Sequence, residues 1–161
     1  MGDAADRPGH ERLELADAVT HMMQEGRTLL PGVQALFGFQ LIAVFNPRFD
    51  QALSPAEKDL HLLALGLVAV AGGLIMTPAA YNRQTDPFDV SEGLLRVGSR
   101  LLSASLPCLG VAICLDFYLV AQVITHNDWV AVGLAVALAA VLATLWGVLP
   151  RSKRLRRLFG G

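Results

Sequence analysis

The chain has 161 residues, of which 53% are hydrophobic and 17% are charged. A soluble domain carries about 25% charged residues, so the composition argues against one. The 13 basic and 14 acidic residues leave a net charge of −1, which gives no argument for nucleic-acid binding. The charges lie in blocks between long apolar runs, as they do in integral membrane proteins.

The first segment, residues 1–28, is polar and mainly acidic, without the basic region and short apolar core of a cleaved signal peptide. Within it Leu15, Val19, Met22 and Met23 recur at helical spacing, which predicts an amphipathic helix. Such a helix lies at the membrane interface or packs on the other helices. Because its polar face is acidic and would be repelled by anionic lipid, we expect it to pack on protein.

The rest of the chain contains four apolar runs, Leu29–Phe45, Leu60–Tyr81, Leu101–Ile124 and Trp129–Leu149. Crossing a ~30 Å hydrocarbon core takes about 20 helical residues, and the last three runs meet that length directly. No segment shows the alternation of polar and apolar residues that is typical of a β-barrel strand. The sequence therefore predicts an all-α fold, a four-transmembrane-helix bundle over residues 29–150, preceded by the amphipathic helix and followed by a basic C-terminal tail, residues 151–161.

Several residues mark where the spanning helices begin and end. The segment Ser54–Glu57 has the pattern of a capping box with proline at the first helical position. Asp86–Pro87 predicts that the third spanning helix starts well before its apolar run and extends out of the membrane. Asn127 is the expected N-cap of the fourth helix, which Pro150 should end or bend, and Pro107 should kink the third.

Basic residues resist translocation, so their distribution predicts the orientation of the bundle. With four spans, the N-terminus, the 82–100 loop and the C-terminus lie on one side of the membrane, and they hold 11 of the 13 basic residues. The other side holds only Arg48 and Lys58. This asymmetry predicts that both termini are cytoplasmic. The tail should contact anionic lipid headgroups, or it serves simply as a topology signal. Its basic residues are Arg151, Lys153, Arg154, Arg156 and Arg157.

Asp116 lies inside the third apolar run, where an unpaired carboxylate costs several kcal/mol, so it predicts a polar site in the membrane. Counted from the outer face of the membrane, Gln40 on the first helix lies at a depth similar to that of Asp116. It is therefore the preferred hydrogen-bond partner. Gln34 lies deeper, near mid-membrane, and Arg48 can reach down from the outer end of the first helix. The functional interpretation is a proton or cation site, and the alternative is a polar clamp that holds the helices together.

Hydroxyl side chains towards the inner half of the bundle suggest a polar track leading away from Asp116. The alternative is that they are ordinary small residues at helix interfaces. The members of this predicted track are Ser103, Ser105, Thr77 and Thr144.

His61 and His126 fall near the outer ends of the second and third spanning helices, so bis-histidine haem ligation is a distant alternative. Cys108 and Cys114 are interpreted as small apolar residues. No nucleophile–base motif, phosphate-binding loop or metal-ligand spacing is found. We therefore expect no enzymatic activity, no cofactor and no metal.

Four short phrases, in this order, resemble an uncharacterised family of small bacterial four-helix membrane proteins, catalogued as a domain of unknown function. They are Leu30–Gln34, Pro47–Phe49, Pro78–Arg83 and Ser99–Leu101. Where such proteins tend to have a histidine after the Ala-Ala-Tyr phrase, this chain has Asn82. The resemblance implies a bacterial inner-membrane location and four helices, and it implies no activity.

Two functions fit these features. One is a small channel or transporter for an ion or small solute, formed by several copies because four helices of this length enclose little space. The alternative is a non-transporting scaffold or accessory subunit in which the same polar residues hold the helices together. In both, the expected partners are the lipid bilayer and further copies of the chain, and no nucleic acid.

Overall fold

The structure is a computed structural model that describes residues 7–84 and 92–148. These residues form five α-helices, and the last continues into a π-helical segment, Thr144–Val148. The described part of the chain contains no strand, which confirms the all-α prediction. The helices are α1 (Arg7–Val44), α2 (Phe49–Ala52), α3 (Pro55–Gln84), α4 (Glu92–Thr125) and α5 (Asp128–Ala143).

Four of the helices are long and apolar enough to cross a membrane, as the four apolar runs predict. The spanning segments are Leu13–Val44, Pro55–Gln84, Glu92–Thr125 and Asp128–Gly147. The protein is therefore a helical membrane protein with a four-helix transmembrane architecture. The short helix α2 lies in the connection between the first two spans.

The predicted caps explain where α3 and α5 begin. The Ser54 backbone N–H donates to Glu57 Oε2 at 2.7 Å, and the Glu57 N–H donates to Ser54 Oγ at 3.4 Å, so the capping box is confirmed. Asn127 Oδ1 accepts hydrogen bonds from two backbone N–H groups of the first turn of α5, at 3.0 and 3.3 Å. α4 is already helical at Glu92, ahead of its apolar run, as predicted. Its predicted cap at residues 86–87 and Pro150 lie outside the described residues.

The most extensive packing joins α3 and α4, while α1 packs mainly on α3 and α5 packs on α4. Small residues line the centre, because they let helix backbones approach closely in a bilayer. Ala64, Ala71 and Ala112 are all completely buried. In α5 the buried residue is Ala131, so most of this apolar helix is exposed at the edge of the bundle.

The N-terminal third of α1 packs on the bundle, as its acidic polar face predicts. Val19 and Met22 are buried in the same apolar cluster as Leu94 and Leu102. The predicted boundary after residue 28 falls inside α1, which is continuous there. The amphipathic segment is thus a direct extension of the first spanning helix.

Contacts at different heights establish the directions of the helices. Gly26 of α1 lies beside Ile75 of α3, since a Cβ on Gly26 would be 3.7 Å from it, and Val33 of α1 lies 3.6 Å from a Cβ on Gly72 of α3. Residue numbers thus rise along α1 as they fall along α3, so the two helices are antiparallel. We call the end that carries Arg27, Arg83, Arg96 and Arg100 the basic end. The other end, which holds the connections Phe45–Ser54 and His126–Asn127, is called the turn end.

Candidate functional site

Three polar side chains from three helices meet near the turn end. Gln40 on α1 donates a hydrogen bond from Nε2 to Asp116 Oδ2 on α4, at 2.6 Å. His61 on α3 has Nε2 3.1 Å from the backbone oxygen of Gln40 and Nδ1 3.8 Å from Asp116 Oδ1. We call these three residues the polar cluster. The predicted pairing of Gln40 with Asp116 is confirmed.

The members of the polar cluster differ in exposure, and the difference shows which of them a ligand can reach. Gln40 and His61 are buried, at 4% and 7% exposed, whereas the Asp116 side chain is 20% exposed. The Gln40 Oε1 atom is buried and has no hydrogen-bond partner among the described residues. The cluster therefore offers a ligand one accessible carboxylate, beside a buried amide oxygen that is still free to accept a hydrogen bond.

The polar cluster lines a cavity of about 550 Å³ between α1, α3 and α4, a volume in the usual range for small-molecule sites. Most of the lining is apolar, and Asn46 and Arg48 contribute polar groups from the connection after α1. Phe39 and Ile124, which also line the cavity, are 71% and 73% exposed. The cavity is therefore open along the face of the bundle that these two side chains form.

The connection between α1 and α3 is ordered over this cavity by local hydrogen bonds. Asn46 Oδ1 accepts from the Arg48 N–H at 3.0 Å, an Asx turn that directs the chain into α2. Lys58 on α3 pairs with Asp50 on α2 at 2.8 Å. Phe49 then packs edge-on against the His61 ring, with centroids 5.3 Å apart. The α2 segment thus forms one wall of the cavity and fixes the position of the imidazole.

The chemistry of this arrangement favours a positively charged or hydrogen-bond-donating group. Asp116 supplies negative charge and acceptor oxygens. The apolar walls would cover the non-polar part of a ligand. Among residues 7–84 and 92–148 no group of three or more His, Cys, Asp or Glu side chains could hold a metal ion.

Two other residues predicted to join Asp116 behave differently. Arg48 lines the cavity but forms no ion pair with Asp116. Gln34 is on the exposed face of α1 and does not line the cavity, so its predicted place in the site is not found. Six residues at about 100° per residue put Gln34 and Gln40 on different sides of the helix, which explains the error.

The predicted inner polar track is not continuous in the structure. Ser105 is buried, whereas Ser103, Thr77 and Thr144 are exposed. The hydroxyls of Ser105, Thr77 and Thr144 donate to backbone carbonyls of their own helices, at 2.7 to 2.8 Å. Helix hydroxyls commonly do this, and it satisfies them without any neighbouring helix. α4 continues as one helix through Pro107.

His61 is the site residue that the sequence analysis missed. It begins a stripe of buried residues on α3 that continues through Ala64, Val68 and Ala71, so its helical spacing placed it on the inner face. His126 is exposed in the turn between α4 and α5, with a positive φ of 50°. The basic tail, residues 151–161, lies outside the described residues, and so does its predicted lipid contact.

Comparison with known sequences agrees with the resemblance found in the short phrases. A family model described as a family of unknown function (DUF6328) matches residues 10–150, which include every residue of the polar cluster. No curated protein and no solved structure matches the chain. The protein belongs to this family of unknown function, DUF6328.

Proposed function

We propose that the protein is a small transporter in which Asp116 binds an organic cation within the membrane. The observation that carries this proposal is the carboxylate itself, which is partly exposed at an otherwise largely apolar cavity of about 550 Å³. A carboxylate within a spanning helix costs several kcal/mol unless it is paired, protonated or hydrated. The Gln40 hydrogen bond offsets part of that cost, and a bound cation would offset more.

In this proposal the proton and the cation compete for the same group. Asp116 holds a proton when the cavity has no ligand and exchanges it for the cation. Since one carboxylate cannot hold both, the movement of one is coupled to the movement of the other. His61 Nδ1 lies 3.8 Å from Asp116 Oδ1 and is the neighbouring polar group on α3.

Transport further requires that the cavity open towards the other side. Buried Val33 and Val68 occupy the core between the polar cluster and the basic end. A continuous path inside one copy is therefore closed, and we propose that several copies assemble and alternate between two openings. The exposed apolar faces of α5 and the exposed amide of Gln34 are available for such contacts.

The proposal places the protein in a bacterial inner membrane with both termini in the cytoplasm, because of the distribution of basic residues. The basic end then faces the cytoplasm, and the cavity faces outwards. We propose no enzymatic activity and no nucleic-acid partner.

Flux into proteoliposomes tests this function. Purified protein is reconstituted, a proton gradient is imposed, and accumulation of ethidium, a fluorescent organic cation, is followed. Wild type should accumulate the dye, whereas Asp116→Asn should not exceed empty liposomes. The matched control is Asp59→Asn, since Asp59 is an exposed carboxylate of α3 that does not line the cavity. Equal flux for wild type and Asp116→Asn would contradict the proposal.

A membrane scaffold is the second candidate, and one observation favours it. The Gln40 backbone and side chain contact His61 and Asp116, so the polar cluster joins three helices. A clamp of this kind would hold the bundle together with no ligand. The scaffold predicts that wild-type liposomes show no flux above background. It also predicts that Asp116→Leu costs little stability, because hydrogen bonds between membrane helices average only ~0.6 kcal/mol.

A further inference from the structure

A second cavity, of about 220 Å³, lies at the basic end and is separate from the polar cluster. It is formed between α1 and α3, with Leu102 of α4 at its wall. Along α1, Arg27 is 13 residues from Gln40, or ~20 Å of helix, so the two cavities lie at opposite ends of the bundle. The second cavity plays no part in the function proposed above.

The lining of this cavity combines basic and apolar groups. Arg27, Arg83 and Asn82 are its polar members, and Leu30 and Ile75 are among its apolar ones. Neither arginine forms an ion pair within the part of the chain that the structure describes. Both are exposed, in contrast to Lys58 at the turn end, which is partly covered and paired with Asp50.

The position of the two arginines matches the boundary between hydrocarbon and headgroups. Arg27 comes just before the apolar run Leu29–Phe45, and Arg83 comes just after the apolar run Leu60–Tyr81. Because α1 and α3 are antiparallel, these two boundaries fall at the same end of the bundle. Guanidinium groups at this depth can bind a phosphate through paired N–H donors while the apolar wall stays in the hydrocarbon.

We propose that this cavity binds the phosphate headgroup of an anionic phospholipid. Arg27 and Arg83 bind the phosphate, the Asn82 amide donates a further hydrogen bond, and an acyl chain lies along Leu30 and Ile75. The apolar wall decides between the two sources of phosphate, because a free phosphate ion would leave it uncovered. Basic pockets between spanning helices on the cytoplasmic side are a general means of binding anionic lipid.

Native mass spectrometry of the full chain in detergent tests this site. Phosphatidylglycerol, phosphatidylcholine and inorganic phosphate are titrated separately onto wild type and Arg27→Gln/Arg83→Gln. The matched control is Arg96→Gln, since Arg96 is an exposed arginine at the same end that pairs with Glu92 and does not line the cavity. Wild type should prefer phosphatidylglycerol over phosphatidylcholine and retain no inorganic phosphate. The double variant should bind phosphatidylglycerol about 10- to 30-fold more weakly, from roughly 1 kcal/mol per basic residue.

Three results of the lipid titrations would overturn the proposal. They are equal binding of the two lipids by wild type, unchanged binding by the double variant, and an equal loss in Arg96→Gln, which would indicate a diffuse surface attraction. Tight binding of inorganic phosphate would assign the cavity to a soluble anion instead. If the double variant does not fold, Arg27→Gln and Arg83→Gln are measured singly, and each should weaken phosphatidylglycerol binding about fivefold.

Discussion

Gln40 Nε2 and Asp116 Oδ2 are 2.6 Å apart, although the two residues are separated by 76 positions in the chain. The contact joins the first and third spanning helices and leaves Oδ1 of the carboxylate beside His61, at 3.8 Å. Because the Asp116 side chain is also partly exposed at a cavity, the same hydrogen bond joins two helices and holds the carboxylate at the proposed ligand site. Substitutions at the two residues separate these roles.

The Gln40–Asp116 hydrogen bond should be measurable as a coupling energy. Gln40→Leu, Asp116→Leu and the double variant form a cycle, with unfolding followed in mixed micelles. We expect a coupling of about 0.5–2 kcal/mol, since hydrogen bonds between membrane helices average ~0.6 kcal/mol and reach ~1.7. Strict additivity of the two single substitutions would mean that the hydrogen bond contributes nothing to stability.

Gly98 leaves room for the Met22 side chain of α1, and a larger residue at this position should require that side chain to move. A Cβ at this position would overlap the Met22 thioether and lie 3.4 Å from Cβ of Pro78. Gly98→Val should therefore lower the free energy of unfolding by about 1–3 kcal/mol. Gly66→Val is the control, because a Cβ on Gly66 meets nothing within 4 Å. Partial rescue of Gly98→Val by Met22→Ala would identify the contact, and equal effects of the two valine variants would exclude it.

The sequence predicted the fold well because its signals are local. Apolar runs, the capping box at Ser54 and the cap at Asn127 depend on neighbours in the chain, and all three were confirmed. Depth counting also paired Gln40 with Asp116, since height along a straight helix follows from residue number. The rotation of each helix about its axis was harder to predict, because both lipid-facing and protein-facing sides are apolar in a membrane.

Errors at the site follow from that missing rotation. Gln34 was placed with Asp116 because of its polarity, yet it lies on the exposed face of α1. His61 was considered only as a haem ligand near the outer end of its helix, although its spacing with Ala64 and Val68 places it on the inner face of α3. The predicted inner polar track is not found, because hydroxyls such as that of Thr77 donate hydrogen bonds to backbone carbonyls of their own helix.

Arg48 provides a test of whether a cation binds in the cavity. Its exposed side chain lines the cavity and adds positive charge there. If the ligand is a cation, Arg48→Gln should tighten ethidium binding several-fold, because it removes a repulsion at the site. Fluorescence titration in detergent measures this affinity. Unchanged or weaker ethidium binding in Arg48→Gln would contradict cation binding beside Arg48. Arg96→Gln, at the basic end and outside the cavity lining, controls for net charge.

The topology can be tested independently of any ligand. A reporter fused after Gly161 should be cytoplasmic, and one inserted at Gln51 in α2 should lie on the opposite side. This expectation follows because basic residues resist translocation and are concentrated at the basic end of the bundle. A cytoplasmic reporter at Gln51 would contradict the proposed orientation, and the cavity would then face inwards.

The central claim is that Asp116 is an exchangeable carboxylate at an accessible cavity. Dicyclohexylcarbodiimide, which modifies protonated carboxyl groups in apolar surroundings, tests it most directly when the modified residue is located by peptide mass spectrometry. We expect modification at Asp116, slowed progressively by added ethidium, and none at the exposed, water-facing Asp59. Modification of Asp116 at the same rate with and without ethidium, or no modification there at all, would contradict the account.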